Sequence, residues 1–129
     1  MKLSLLLISV IVSGFFNCEA QTAREISRAK AVFEGAWLNK KNDRHLTISI
    51  EDAGYVTIND WTGRKQTASI DAYKAYIKNG KLVMPAETEH HAPYSEIQIK
   101  GKTLIYITQT VGLKEEKLVE KIYFIKSKW

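Results

Sequence analysis

Residues 44–61 read RHLTISIEDAGYVTINDW, and their pattern decides the fold class. Leu46, Ile48 and Ile50 alternate with Thr47 and Ser49, so a strand over Arg44–Glu51 has one apolar face and one polar face. Asp52, Ala53 and Gly54 then supply a turn. From Tyr55 to Trp61 the alternation resumes, with Val56 and Ile58 on one side and Tyr55, Thr57, Asn59 and Trp61 on the other. Two half-buried strands joined by a short turn read as an antiparallel hairpin, the unit of an all-β fold.

Working outward, the same period recurs along the rest of the chain. Gly35–Asn39 is a short strand before the hairpin. Thr62 and Gly63 end its second strand, and Lys65–Ile77 is a longer β-rich stretch that stops at Asn79-Gly80. Asn-Gly tolerates positive φ at both turn positions, so Lys81–Ala86 returns antiparallel. Pro85–Pro93 reads as a loop, since it holds both prolines and a polar run. Tyr94–Lys100 alternates again, Gly101-Lys102 turns the chain, and Thr103–Thr110 is the most apolar strand. Val111–Leu118 reads as a long hairpin tip, and Val119–Lys126 as the last strand. These segments make eight strands with mostly short connections, which places sequence neighbours side by side in the sheet. About eight strands close into an up-and-down barrel that side chains can fill or that can hold one small ligand, and closure removes exposed edges.

The convincing helical stretch is Thr22–Phe33. Thr22 is placed to cap it with Glu25 three residues on, and Ile26, Ala29, Val32 and Phe33 form one apolar stripe. Before it, Met1 and Lys2 lead into an uncharged apolar run from Leu3 to Phe16, followed by Asn17, Cys18, Glu19 and Ala20. A short positive start, an apolar run and a small-residue exit fit a secretory signal peptide over residues 1–20, and the run is short for a permanent membrane anchor. The expected exported domain is then residues 21–129, periplasmic or secreted. Cys18 also admits a lipoprotein reading, in which lipid would tether the domain to a membrane; Phe15, Phe16 and Asn17 before it are bulkier than that signal favours. Cys18 is the chain's single cysteine, so no internal disulfide supports the fold.

The formal net charge is +5. It is dispersed over Arg24, Arg28, Lys40, Lys41, Arg64, Lys65 and the C-terminal lysines, whereas nucleic-acid binders gather basic charge on one face or helix. Dispersion and export together argue against a nucleic-acid partner. His90, His91, Glu87 and Glu89, with His45 more remote, are the cluster of candidate metal ligands. Adjacent residues on an extended loop point apart, and His90 and His91 do not readily converge on one tetrahedral ion; no metal or other cofactor is expected. There is no Gly-x-Ser-x-Gly elbow and no glycine-rich phosphate loop, and Asp52 with Asp60 lacks any placement that would make them a catalytic pair. Catalysis is not expected.

The aromatics Tyr55, Trp61, Tyr73, Tyr76, Tyr94 and Tyr106 are the candidates for function. An apolar body with a polar tip suits a pocket with a few placed polar groups, and Asn59 and Gln109 are candidates for those groups. The expected ligand site is Tyr55, Asn59, Trp61, Tyr73, Tyr106 and Gln109. The competing reading is that these rings pack the core or the outer face, where tyrosine favours strands in any case.

A short helix leading into Phe33, Gly35 and Trp37, then a meander of antiparallel strands and a basic final strand, resembles the lipocalin-like barrels of the calycin superfamily, and overall the small exported bacterial domains of that type. The resemblance rests on Gly35-Ala36-Trp37 and spans Phe33–Lys128. It implies that Trp37 closes one end of the barrel and stacks under Lys126 or Lys128, a cation-π contact worth about 0.5–2 kcal/mol, while Gly35 lets the backbone pass close to the helix. The chain is shorter than typical lipocalins, and its last strand offers lysine where arginine is usual. The resulting expectation is an exported non-enzymatic binding protein for a small hydrophobic or amphipathic ligand. The alternative is an envelope protein-interaction module with a filled barrel, acting through loops such as Pro85–Pro93 and Val111–Leu118.

Overall fold

The computed structural model describes residues 22–63, 70–89 and 91–128; residues 1–21, with Cys18 and the expected signal peptide, and residues 64–69, His90 and Trp129 lie outside them. Helix α1 spans Ala23–Phe33. Thr22 is its N-cap in extended conformation, and its hydroxyl accepts from the Glu25 N–H at 3.1 Å, satisfying a donor that the first turn leaves free. Ile26, Ala29 and Phe33 face inward. Val32, expected on the same stripe, is 37% exposed, because, although three residues after Ala29, it stands six from Ile26 and one from Phe33 and so lies at the edge of the buried arc. Lys30 pairs with Asp52 and ties the helix to the turn after the second strand.

Eight strands follow: β1 Gly35–Asn39, β2 Arg44–Ile50, β3 Val56–Thr62, β4 Asp71–Lys78, β5 Lys81–Met84, β6 Tyr94–Lys100, β7 Thr103–Val111 and β8 Lys117–Ser127. They form a closed antiparallel up-and-down barrel in sequence order. The tight hairpins fall where the turn residues lie. Asn79 and Gly80 take φ of 51° and 75° between Lys78 and Lys81, as a two-residue turn of this kind requires. Register is fixed by pairs such as Ile48 with Ile58 and Ile97 with Tyr106.

Several boundaries move. Tyr55 is not in β3; its carbonyl accepts from the Glu51 N–H at 2.9 Å within the turn, and its ring is 69% exposed. The described part of the expected Lys65–Ile77 strand begins at Asp71, and β5 stops at Met84, before the proline. β8 starts at Lys117 and the tip shrinks to residues 112–116, because the Glu115 and Gly112 N–H groups donate to the Gly112 and Glu116 carbonyls and close a tight turn.

Alternation sorts the side chains. Trp37, Leu46, Ile48, Ile50, Val56, Ile58, Ile77, Leu82, Met84, Ile97, Leu104, Tyr106 and Phe124 point inward and pack with Ile26, Ala29 and Phe33 in one core. One end of the barrel is therefore stoppered by α1 and filled. The turn at residues 40–43, the end of β3 at Thr62, the loop between β5 and β6 and the 112–116 tip all lie at the other end, which is open.

Candidate functional site at the open end

The stoppered end is held by a small polar lock. The Trp37 indole N–H donates to the Phe33 carbonyl at 2.8 Å. Lys126 lies with Nζ 4.6 Å from the centre of the Trp37 ring and donates to the Glu34 carbonyl at 2.6 Å. Gly35 is favoured there by its φ of +130°, and a Cβ would also sit 2.7 Å from Lys126 Nζ, so the flexible end of that lysine would have to shift off its seat. The group that crowds Gly35 is thus the lysine of the last strand, whereas the resemblance had implied the helix. Glu34 also accepts from the Ile50 N–H through Oε2 at 2.9 Å, which ties the helix exit to the end of β2.

At the open end, Tyr73, Met84, Ser95, Tyr106 and Thr108 line a solvent-open cup of about 840 Å³, with the 85–93 loop as one rim. Set into its floor are two charges that continue the apolar faces of their strands. Arg44 precedes Leu46, Ile48 and Ile50 on β2, and Asp60 follows Val56 and Ile58 on β3. Arg44 Nε and one terminal nitrogen donate to the two Asp60 carboxylate oxygens at 3.0 and 2.6 Å, the bidentate geometry that a guanidinium favours. Asp60 is 7% exposed. The guanidinium carbon lies 4.9 Å from the Tyr106 ring centre and 5.8 Å from that of Phe124, so aromatic faces support the cation. The hydrogen-bonded Asp60 carboxylate holds Arg44 above its ordinary range.

The phenols complete the cup. The Tyr106 hydroxyl contacts Met84 Sδ at 3.8 Å, and burial pushes it above the usual tyrosine range. Burial, with nearby Asp60, pushes Tyr73 up to about 12; both are neutral hydrogen-bonding groups at any physiological pH. The Ser95 hydroxyl donates to Thr108 Oγ1 at 3.4 Å. Chemically the arrangement is an apolar and aromatic bowl with an internally neutralised ion pair, a few hydroxyls, and the charged Lys74 and Glu87 in its lining.

Of the six residues expected to form a ligand site, Tyr73 and Tyr106 share this cup. The other four do not. Tyr55 is in the turn at the opposite end. Asn59 and Trp61 share the outer face of β3, where the Asn59 amide donates to Thr47 Oγ1 at 3.4 Å and Trp61 stacks on His45 with ring centres 5.2 Å apart. His45 in turn contacts Asp43 at 3.1 Å. Gln109 sits opposite Tyr94, on the face of β7 away from Tyr106. The period of two dictates this for Asn59, Trp61 and Gln109: residues an odd number of positions from Val56 and Ile58, or from Leu104 and Tyr106, must face out. Arg44, Asp60, Met84, Ser95 and Thr108 were missed, though each lies an even number of positions from buried residues of its own strand. Among the described residues no group of three or more His, Cys, Asp or Glu side chains is placed to hold a metal; His90, named with His91, lies outside them.

The fold defines the molecule as a closed eight-stranded up-and-down barrel with a stoppered end and an open one. In comparison with known proteins, no family model, no curated protein and no solved structure matches the chain.

Proposed function

We propose that the chain is an exported, non-enzymatic binding protein of lipocalin-like type, which takes a small amphipathic ligand into the cup at the open end. The observation that carries this reading is the cup itself: about 840 Å³, within the usual range of small-molecule sites and lined mostly by apolar groups with a few fixed polar ones. Tyr106, Met84 and Tyr73 offer surface for the apolar part of the ligand. Ser95, Thr108 and the Tyr73 hydroxyl offer hydrogen bonds to its polar part. The non-enzymatic reading is supported by how the polar groups are used, since Ser95 bonds to Thr108 rather than to a base and Arg44 and Asp60 neutralise one another. The leader read in residues 1–20 supports export.

Native mass spectrometry of protein purified from its own host tests the reading. A retained small molecule is expected on the wild-type protein, and Thr108→Trp, which fills the cup from its wall, is expected to abolish it while the far-ultraviolet spectrum stays β-rich. Equal retention by the folded Thr108→Trp variant would remove the cup from consideration.

A further inference from the structure

β8 is eleven residues long, Lys117–Ser127, and β7 pairs with it throughout, from Thr103 opposite Ile125 to Val111 opposite Lys117. Its other side is different. β1 meets it only through Ala36, Trp37 and Leu38, opposite Ser127, Lys126 and Ile125, and then turns back into β2. The last link is the Asn39 side-chain amide, which donates to the Tyr123 carbonyl at 3.0 Å. Among the described residues no strand pairs with Lys117–Ile122 on that side. Successive residues of a strand aim their backbone groups to opposite sides. Because the Tyr123 carbonyl faces β1, the N–H and C=O groups of Val119 and Lys121 face the same open side. Among the described residues the wall thus leaves an edge open here, as it also does on the β5-facing side of β4 from Asp71 to Ala75, and an edge of this kind is one to which an extended segment adds as a further strand.

The side chains on that edge specify its occupant. Lys117, Val119 and Lys121 share the outer face, and all three are exposed. A cleft of about 590 Å³ runs alongside, between Lys40, Lys41 and Asn42 of the first turn and Glu120, Lys121 and Tyr123 of β8, so that three lysines stand against one carboxylate. A second copy pairing antiparallel about Val119 would set Lys117 against Lys121 twice, and like charges directly opposite are destabilising. A strand with carboxylates at those two positions and an apolar residue between them meets lysine with acid, Val119 with an apolar neighbour, and the open backbone groups with its own.

We propose that the β8 edge from Lys117 to Lys121 is a docking site for an extended segment of another protein, with acidic residues alternating about an apolar one. Amide chemical shifts of the protein, titrated with the acetylated and amidated heptapeptides TETVTET and TKTVTKT, test this. Expected are shifts confined to the β8 edge and the 40–42 turn with the acidic peptide, weakened by salt, and binding of the lysine peptide at least about tenfold weaker. The variant Lys117→Glu with Lys121→Glu changes only exposed side chains, and it is expected to reverse the preference. Three outcomes overturn the proposal: no shifts with the acidic peptide at millimolar concentration, an unchanged preference in the charge-reversed variant, or self-association of the wild type through β8. The first would leave Lys117 and Lys121 as charges that only keep the edge from pairing.

Discussion

Arg44 and Asp60 occupy positions where the alternation of β2 and β3 otherwise puts Leu46, Ile48, Ile50, Val56 and Ile58. A largely buried pair of this kind has a lopsided energetics: removing one partner strands the other charge, whereas replacing both with apolar groups is often neutral or better. Asp60→Leu is therefore expected to lower stability by about 3 kcal/mol, and Arg44→Met with Asp60→Leu to recover most of that loss, as urea denaturation of the single and double variants would read. If both variants fall equally, the pair adds nothing beyond its separate side chains. Tyr73 gives a pH dependence with a definite sign. Its phenol is raised from 10.0 to about 12, so above pH 10 the folded state holds a proton that the unfolded chain has lost, and stability falls as pH rises toward 12. Below pH 10 both states are protonated and this contribution is constant. Tyr73→Phe should flatten that part of a stability curve measured between pH 9.5 and 12, and an unchanged slope would place the alkaline loss elsewhere. At this scale the sequence was legible in its alternation and misleading in its residue types. Trp61 and Asn59 look like pocket residues, yet they sit an odd number of positions from Ile58. Arg44 and Asp60 look like surface charges, yet they sit in phase with the core. Phase within a strand is set by the backbone, so it outranks chemical character in deciding which way a side chain points.

Helix α1 shows how an element too short to be stable alone acquires its stability from one face. Phe33 is 2% exposed at the junction of the helix with the barrel floor, beneath Trp37, whose indole bonds to the Phe33 carbonyl. Phe33→Ala is expected to cost about 3–5 kcal/mol, while Val32→Ala next to it, on the half-open side, should cost under about 0.5 kcal/mol. Thermal melts of the two variants check the contrast, and similar losses would mean that Val32 is packed. The helix, its cap and its inward stripe were readable from Thr22, Glu25, Ile26, Ala29 and Phe33, because local capping and periodicity are properties of neighbouring residues. The strand count was readable for the same reason, and the turns at Asn79-Gly80 and Gly101-Lys102 fixed the hairpins they join. The length of β8 was not. Lys114, Glu115, Glu116 and Lys117 carry no apolar alternation, and only pairing with β7 extends the strand back to Lys117.

For the whole molecule, closure is uneven around the barrel. β2 with β3 and β7 with β8 are registered along most of their lengths, whereas β4 with β5, β5 with β6 and, at the closing seam, β1 with β8 are each registered through three pairs. That seam depends on side chains to hold it: Lys126 on Trp37 and on the Glu34 carbonyl, and Asn39 on the Tyr123 carbonyl. It also joins the first strand to the last, so its contacts carry the largest loop-closure cost in the fold. The core residues Leu46, Ile58, Ile97, Leu104 and Phe124 lie in strands paired on both sides and are released only when the barrel as a whole comes apart. Amide hydrogen exchange should therefore resolve two levels of protection. The amides of β1 and of Ile125 are expected to exchange through local opening of the seam, roughly a hundredfold faster than those of Ile97 and Leu104, which should report global unfolding. Lys126→Ala should speed exchange along β1 by more than it speeds exchange at Ile97. Equal protection at β1 and Ile97, with equal response to Lys126→Ala, would show instead that the barrel opens only as one unit and that the seam is as strong as the rest of its wall.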